Sequence, residues 1–396
     1  MPDAQEGVGV RLRHVRKLQG LTQAQLSSRV HFSISLIKKV EQGSVPPSAA
    51  FVAASARVLG VGLTYLYGTG DPEMLENPAA DRAVSAALRV ALDAYDDPRP
   101  EADPPGLVAI VARLDLAGRD IDQQRYEAAA RDLPELLHQL YLLADDRDRA
   151  GEEARAALHD AYRIAASLAS RYRQSDLAAV ASDRHVQLAP RTGDPLRIAV
   201  SGYHRAAHHV GLGDYASGQR TLDRVRQHLD MTPAGRAMTI QLDLRAATLQ
   251  ARAGNSDAAD DYLAEARALA DRYAPPARPY FNIDASPTNI VVHWCAVPVE
   301  NYNAAETVRR GARVQVADPD RPERVAHHHI DQARAWLLEG DRGRCLADLA
   351  EARRTAPRST RHHPAVRETV LALADRDTRA TGTISSFARW VGINLS

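Results

Sequence analysis

The chain has 396 residues, with 50 Lys+Arg against 50 Asp+Glu and a formal net charge of zero. That balance excludes a protein that coats nucleic acid with a uniformly basic surface, and 45% hydrophobic residues exclude a disordered chain. At about 100–200 residues per domain the length predicts two or three domains, and a composition rich in Ala, Leu and Arg with only 5% aromatics reads as all-α.

The charge is unevenly spread. Residues 1–70 hold eight Lys or Arg against three Asp or Glu, a surplus that the rest of the chain cancels. Lys17, Lys38 and Lys39, the chain's three lysines, all lie there. A small basic head on a mildly acidic body suggests an anion-binding module joined to a part with another task. The two cysteines, Cys295 and Cys345, make neither a disulfide framework nor a zinc-finger pattern, which fits a reducing cytoplasm. No apolar run of about 18 residues and no leader-like start occurs, so no membrane span is expected and the location is expected to be cytoplasmic.

The first predicted helix runs from Val8 to Gln19, with Val8, Leu12, Val15 and Leu18 at helical spacing and Gly20 as its stop. Thr22 caps a second helix, Gln23 to Val30. After His31-Phe32, Ser33 caps a third, Ile34 to Val40. Pro46-Pro47-Ser48 leads into a fourth, Ala49 to Leu59, and a fifth spans Leu63 to Tyr67. Leu21, Leu26, Val30, Phe32, Ile37 and Val40 fall where they would lock the second and third helices together. Ile34, Ser35, Lys38 and Lys39 share the outward face of the third helix, which is shaped to enter a DNA major groove.

The stretch LRHVRKLQGLTQAQL, the turn, Ser33, SLIKKVEQG and the closing GVGLTYLYG together resemble the Cro/phage-repressor helix-turn-helix family over residues 8–68. The resemblance implies a double-stranded DNA operator as partner. It implies that Gln23 touches a phosphate and supports the third helix, and that Ser33 caps that helix near the backbone. Ile34, Ser35 and Lys39 would face base edges, with Lys38, Arg13 and Lys17 adding basic contacts. It also implies an internal ion pair between Arg16 and Glu41. One departure stands out. His31 occupies the turn position where the family usually has a φ > 0 glycine, at a cost of ~1 kcal/mol.

The expected division is a DNA-binding domain at 1–70, a linker at 71–80 and a helical body at 81–396. Helices are predicted over 79–95, 106–117, 122–144, 149–172, 175–189, 195–212, 215–229, 234–253, 256–272, 286–298, 302–315, 322–339, 342–355, 364–376 and 383–392. Breaks near 174, 213, 254, 300 and 340 recur at roughly 40 residues, the spacing of stacked helix hairpins. The G-D-Y turn and the second helices such as DAADDYLAEARALA and GRCLADLAEARRTA resemble degenerate tetratricopeptide-like repeats. The fold expected is therefore a five-helix head followed by an α-solenoid.

A solenoid offers a groove lined by the first helix of each pair. His204, His208, Gln241, Arg245, Asn289, His293, His327 and Asp331 lie on those first helices and are the candidate ligand contacts, with Asn289 and Arg245 foremost. The His pairs and HHHID at 327–331 lack HExxH spacing, so no metal is expected. No nucleophile elbow or phosphate-cradling glycine loop appears, so neither cofactor nor enzymatic activity is expected. The two-part architecture resembles Gram-positive regulators that sense short peptides. The expectation is a sequence-specific regulator, dimeric so as to read two half-sites, that answers to a peptide or small molecule. Two other readings stay open: a phage-type or antitoxin-like repressor held by a protein partner, and a protein-interaction scaffold without specific DNA binding.

Overall fold

The computed structural model describes residues 6–68, 78–145, 148–172, 174–273, 281, 283–375 and 382–393, and among them every regular element is a helix. The head comprises α1 (Val8–Leu18), α2 (Gln23–Val30), α3 (Ile34–Glu41), α4 (Ala49–Leu59) and α5 (Leu63–Tyr67). Its boundaries follow from local chemistry. The Thr22 hydroxyl accepts from Gln25 N while the Gln25 side chain accepts from Thr22 N, a reciprocal cap that starts α2. Ser33 and Ser48 cap α3 and α4 with the hydroxyl alone, accepting from Leu36 N and Phe51 N. The core is largely the one expected: Leu12, Val15, Leu26, Val30, Ile37 and Val40 close on Phe51 and Leu59, with Phe32 edge-on to Phe51, while Leu18 at the end of α1 stays 72% exposed. Gly9 lets α1 cross α3, since a Cβ there would overlap the Val40 carbonyl.

His31 does adopt φ 58° and ψ 32° at the end of α2. The turn thus keeps its left-handed geometry without a glycine. Of the linker expected at 71–80, residues 71–77 lie outside the described residues, and α6 (Pro78–Asp93) begins at once after them.

The body is built mainly of antiparallel hairpins. These are α7 (Leu107–Asp122) with α8 (Tyr126–Ala144), α9 (Arg149–Arg171) with α10 (Ser175–Leu188), and α11 (Pro195–Leu212) with α12 (Tyr215–Arg226). They continue with α13 (Pro233–Arg252) and α14 (Ser256–Arg272), α15 (Pro287–Glu300) and α16 (Ala304–Gly311), and α17 (Pro322–Glu339) and α18 (Arg342–Thr355). Short α19 (Pro357–His362), then α20 (Pro364–Asp375) and α21 (Gly382–Trp390), end the described chain. Each first helix from α11 to α17 packs on the next, and α17 packs on α20.

The breaks near 174, 213, 254, 300 and 340 all fall between paired helices. Most of these turns need a left-handed residue: Gly213 at φ 68°, Gly254 at 87° and Gly340 at 84°. Gln124 and Tyr302 hold the same conformation at φ 61° and 59° without being glycine. Several boundaries differ from expectation, among them the helix expected at 302–315, which is Ala304–Gly311, and the one expected from 122, which begins at Tyr126. The sequence ends a helix at 117, but α7 runs on to Asp122 because Gly118 is buried in its packing face, and the turn falls at Gln123–Arg125. The sequence also lacks α19, a single turn started by Pro357.

The groove expected from a solenoid is not open-ended. The late helices return to the early ones. Glu323 at the start of α17 accepts from the Tyr126 hydroxyl at 2.5 Å and pairs with Arg171 at 2.6 Å. Arg358 of α19 pairs with Glu127 and, at 3.4 Å, with Asp81, while its guanidinium stacks over Tyr126. Arg321 approaches Asp122 at 3.8 Å. These contacts bridge 150 residues or more of sequence and close the row of hairpins into a ring.

Candidate functional site

The outward face of α3 is built by the burial of its opposite face. Ile37, Val40 and Glu41 point inward, which leaves Ser35, Lys38, Lys39 and Ile34 exposed, Ile34 at 49%. Arg13 and Lys17 on α1 are also exposed. Ser33 is exposed at the helix's N-terminus, with its hydroxyl engaged in the cap.

The base of α3 is clamped by one buried guanidinium. Arg16 Nε donates to Glu41 Oε1 at 2.5 Å, Nη2 to Glu41 Oε2 at 2.8 Å and Nη1 to the Leu21 carbonyl at 2.7 Å. Both side chains are nearly solvent-free, and the bond to Glu41 raises Arg16 above its ordinary value. Gln23 Nε2 also donates to Glu41 Oε2, at 2.9 Å. Gln23 therefore ties α2 to the end of α3.

The head is seated on the ring by its other side. The helix α4 packs on α11. Arg57 Nη1 donates to the Gly213 carbonyl at 2.9 Å, and Ala53 lies where a Cβ on Gly213 would press, at 3.2 Å. Ser48 N donates to the Tyr302 hydroxyl at 2.6 Å, so the tyrosine in the strained α15–α16 turn reaches the head. The Glu368 carboxylate of α20 accepts from Val8 N at 3.2 Å through both oxygens. Burial pushes Glu368 up to about 7, against the opposing pull of the Val8 amide and Arg367.

Inside the ring lie adjoining cavities. One of about 300 Å³ is strongly polar, lined by Arg163, Arg171, Arg245, Arg321 and Arg324 against Asp122, Asp284 and Glu323. The next, about 490 Å³, shares Arg171, Arg245, Glu323 and Arg324 and adds Val292, His293, Val297 and His327. Pro47, Ala49 and Tyr67 of the head form part of its wall. A third, about 670 Å³, shares Arg163, Arg171 and His204 and touches Thr64 of the head.

Seven of the eight candidate ligand contacts border these spaces. His204 and Gln241 line the polar cavity, Arg245 lines two, and His293, His327 and Asp331 line the second. His208 borders the third. Asn289 does not. It is 0% exposed, its Nδ2 donates to the Asp284 carbonyl at 2.7 Å, and it borders none of the three spaces. An amide at the N-terminal end of α15 is drawn into the packing behind the cavity. Gln241 is tied to the same carbonyl, which fixes its amide as well.

His204, His293 and His327 are held in the neutral form. Burial, aided by Arg163 and Arg245, pushes His204 down to about 3. Burial with Arg324 and Arg171 brings His327 to about 3, and burial with Arg324 and Arg245 holds His293 far below its ordinary value. Asp331 is raised to about 6 by burial despite its 2.9 Å pairing with Arg334. The sequence alone gave no reason to single out Arg163, Arg171 or Arg324. Arginine on a helix is ordinarily a solvated residue, and ring closure is what gathers these three around the cavities, Arg163 and Arg324 half-buried and Arg171 still exposed. Among the described residues no group of three or more His, Cys, Asp or Glu could hold a metal ion, and no helix is long and apolar enough to cross a membrane.

Residues 8–64 match the family of helix-turn-helix domains. No curated protein and no solved structure matches the chain.

Proposed function

We propose that the chain is a sequence-specific transcriptional regulator that reads duplex DNA with α3 and whose helical ring controls the head. The observation that carries this is the placement of two opposite faces. Ile34, Ser35, Lys38 and Lys39 are exposed, while α4, Ser48 and the start of α1 hold the ring. The head can therefore meet a major groove while seated. Lys39 donates to guanine O6/N7 or a phosphate, and Ile34 packs on a thymine methyl. Ser35 reaches base edges or backbone, Lys38, Arg13 and Lys17 contact phosphates, and Gln23 and Ser33 hold the helix at the backbone. One such helix covers only a few base pairs, so the working form is a homodimer on two half-sites ~34 Å apart. The ring senses a peptide or small molecule in its chamber, and a ligand that favours one seating of the head changes DNA affinity.

The test is selection of duplexes from a random pool by the full-length protein. Enrichment of a sequence with two-fold symmetry supports the reading. A pool that stays random after repeated rounds contradicts it.

A further inference from the structure

We infer that the chamber is a receptor for a small organic anion, whose carboxylate or phosphate end is gripped by Arg163, Arg245 and Arg324. This rests on the reading of the ring as sensory and names the chemistry of what it senses.

Three observations converge. First, the charges inside the polar cavity do not balance: five arginines face three carboxylates. Arg171 is answered by Glu323 at 2.6 Å, and Arg321 lies 3.8 Å from both Asp122 and Asp284. Among the described residues, Arg163, Arg245 and Arg324 have no carboxylate oxygen within 4.0 Å. Second, the guanidinium groups are unsatisfied as donors. The Nε atoms of Arg163 and Arg245 are both buried without a hydrogen-bond partner, although Arg245 Nη2 donates to the Tyr203 hydroxyl at 2.7 Å. A buried guanidinium donor left unpaired is costly, and a fork of donors matches the oxygens of a carboxylate or phosphate. Third, the space has a ligand's proportions. The roughly 300 Å³ polar cavity opens beside a 490 Å³ one lined by Val292, Val297 and neutral His293. That arrangement fits a molecule with one anionic end and a less polar body.

The neutral imidazoles complement this, since they offer hydrogen bonds without adding charge. The geometry also gives the anion a route to the DNA-binding head. Tyr67, Ala49 and Pro47 wall the second cavity, so a ligand filling it touches ring and head at once and favours the seated arrangement.

The experiment is a thermal-shift titration of the full-length protein with sodium phosphate and, separately, with citrate, each against sodium chloride at matched ionic strength. The expected result is a saturable rise in Tm of about 2–6 °C with at least one of the two anions. A larger rise with phosphate assigns a phosphoryl end, and a larger rise with citrate a carboxylate end. The rise should disappear in R245Q/R324Q and persist in K38A/K39A, which removes phosphate-binding charge from the head alone. Should R245Q/R324Q fail to fold, R163Q gives the same reading with a predicted loss of more than half the shift. A wild-type Tm that follows ionic strength only, or a full shift in the folded arginine variants, overturns the proposal. No DNA enters the assay, so its failure leaves the reading of α3 untouched, and a random pool in the selection leaves this result untouched.

Discussion

In the head, Arg16 is buried with all three guanidinium nitrogens bonded, to Glu41 and the Leu21 carbonyl. In the ring, Arg163 and Arg245 are half-buried, each with a buried Nε left without a partner and no carboxylate oxygen within 4.0 Å among the described residues. The same side chain plays two parts. Arg16 acts within the fold, joining α1 to the end of α3 across 25 residues of sequence. The chamber arginines are aimed at a space, and what completes them lies outside the chain. A satisfied buried ion pair is destabilised severely by loss of one member, whereas removing an unanswered buried charge relieves the fold.

The largest test of that contrast compares two substitutions. Arg16→Ala strands Glu41 and should destabilise the head by about 3–5 kcal/mol, read as loss of α-helical signal from the head on chemical unfolding. Arg163→Met should leave the Tm unchanged or higher. Equal losses from both would erase the distinction.

The seat between head and ring supplies the next. Glu368 is raised to about 7 from an unfolded value near 4.5. Glu368 therefore contributes stability that is full below about 4.5 and is lost as pH rises through about 7, a swing of about 3 kcal/mol, opposite in sign to the contributions of His204, His293 and His327, whose lowered values leave the unfolded chain the better proton acceptor in acid. Glu368→Gln keeps an acceptor for Val8 N and should remove this contribution alone, so the stability difference between variant and wild type should change by about 3 kcal/mol between pH 4.5 and 7. Asp243 and Asp331, each raised by burial to about 6, add contributions of the same sign that the substitution leaves in place. An unaltered pH profile would place the slope elsewhere.

Smaller effects sharpen the account of the head. Lys39→Ala should weaken specific binding by about 1–3 kcal/mol if the lysine reads a base. A loss equal on all duplexes, with a shallower salt dependence, reassigns it to phosphate. His31→Gly should raise head stability by up to ~1 kcal/mol, because His31 sits at φ 58°. A lower Tm would mean that the imidazole contributes something other than the turn.

The same contrast explains what the sequence reveals. The head is legible because its determinants are local. Thr22, Ser33 and Ser48 cap within three residues, the apolar spacing of Leu26, Val30, Ile37 and Val40 sets the core, and Arg16 meets Glu41 through a recurrent packing of adjacent helices. The hairpins of the ring are legible for the same reason, through turns such as Gly213-Asp214 and Gly340-Asp341, whose aspartates cap the following helix. Ring closure is not. Tyr126 to Glu323, Arg171 to Glu323 and Arg358 to Asp81 join positions with no local pattern in common. Asn289 misleads for a related reason, since helical spacing places it on a first helix without telling which side is buried. The seating of the head is hidden too. Nothing in the sequence marks Tyr302 as the acceptor for Ser48, although a tyrosine where other hairpins carry glycine is a signal once the turn geometry is known.

The most direct measurement of the central claim is fluorescence anisotropy of the full-length protein on a selected duplex and on its scrambled counterpart, at one fixed salt concentration. Tighter binding to the selected duplex is expected, with loss of that preference in K38A/K39A. Equal binding to both duplexes, or a preference that survives the double substitution, would contradict it.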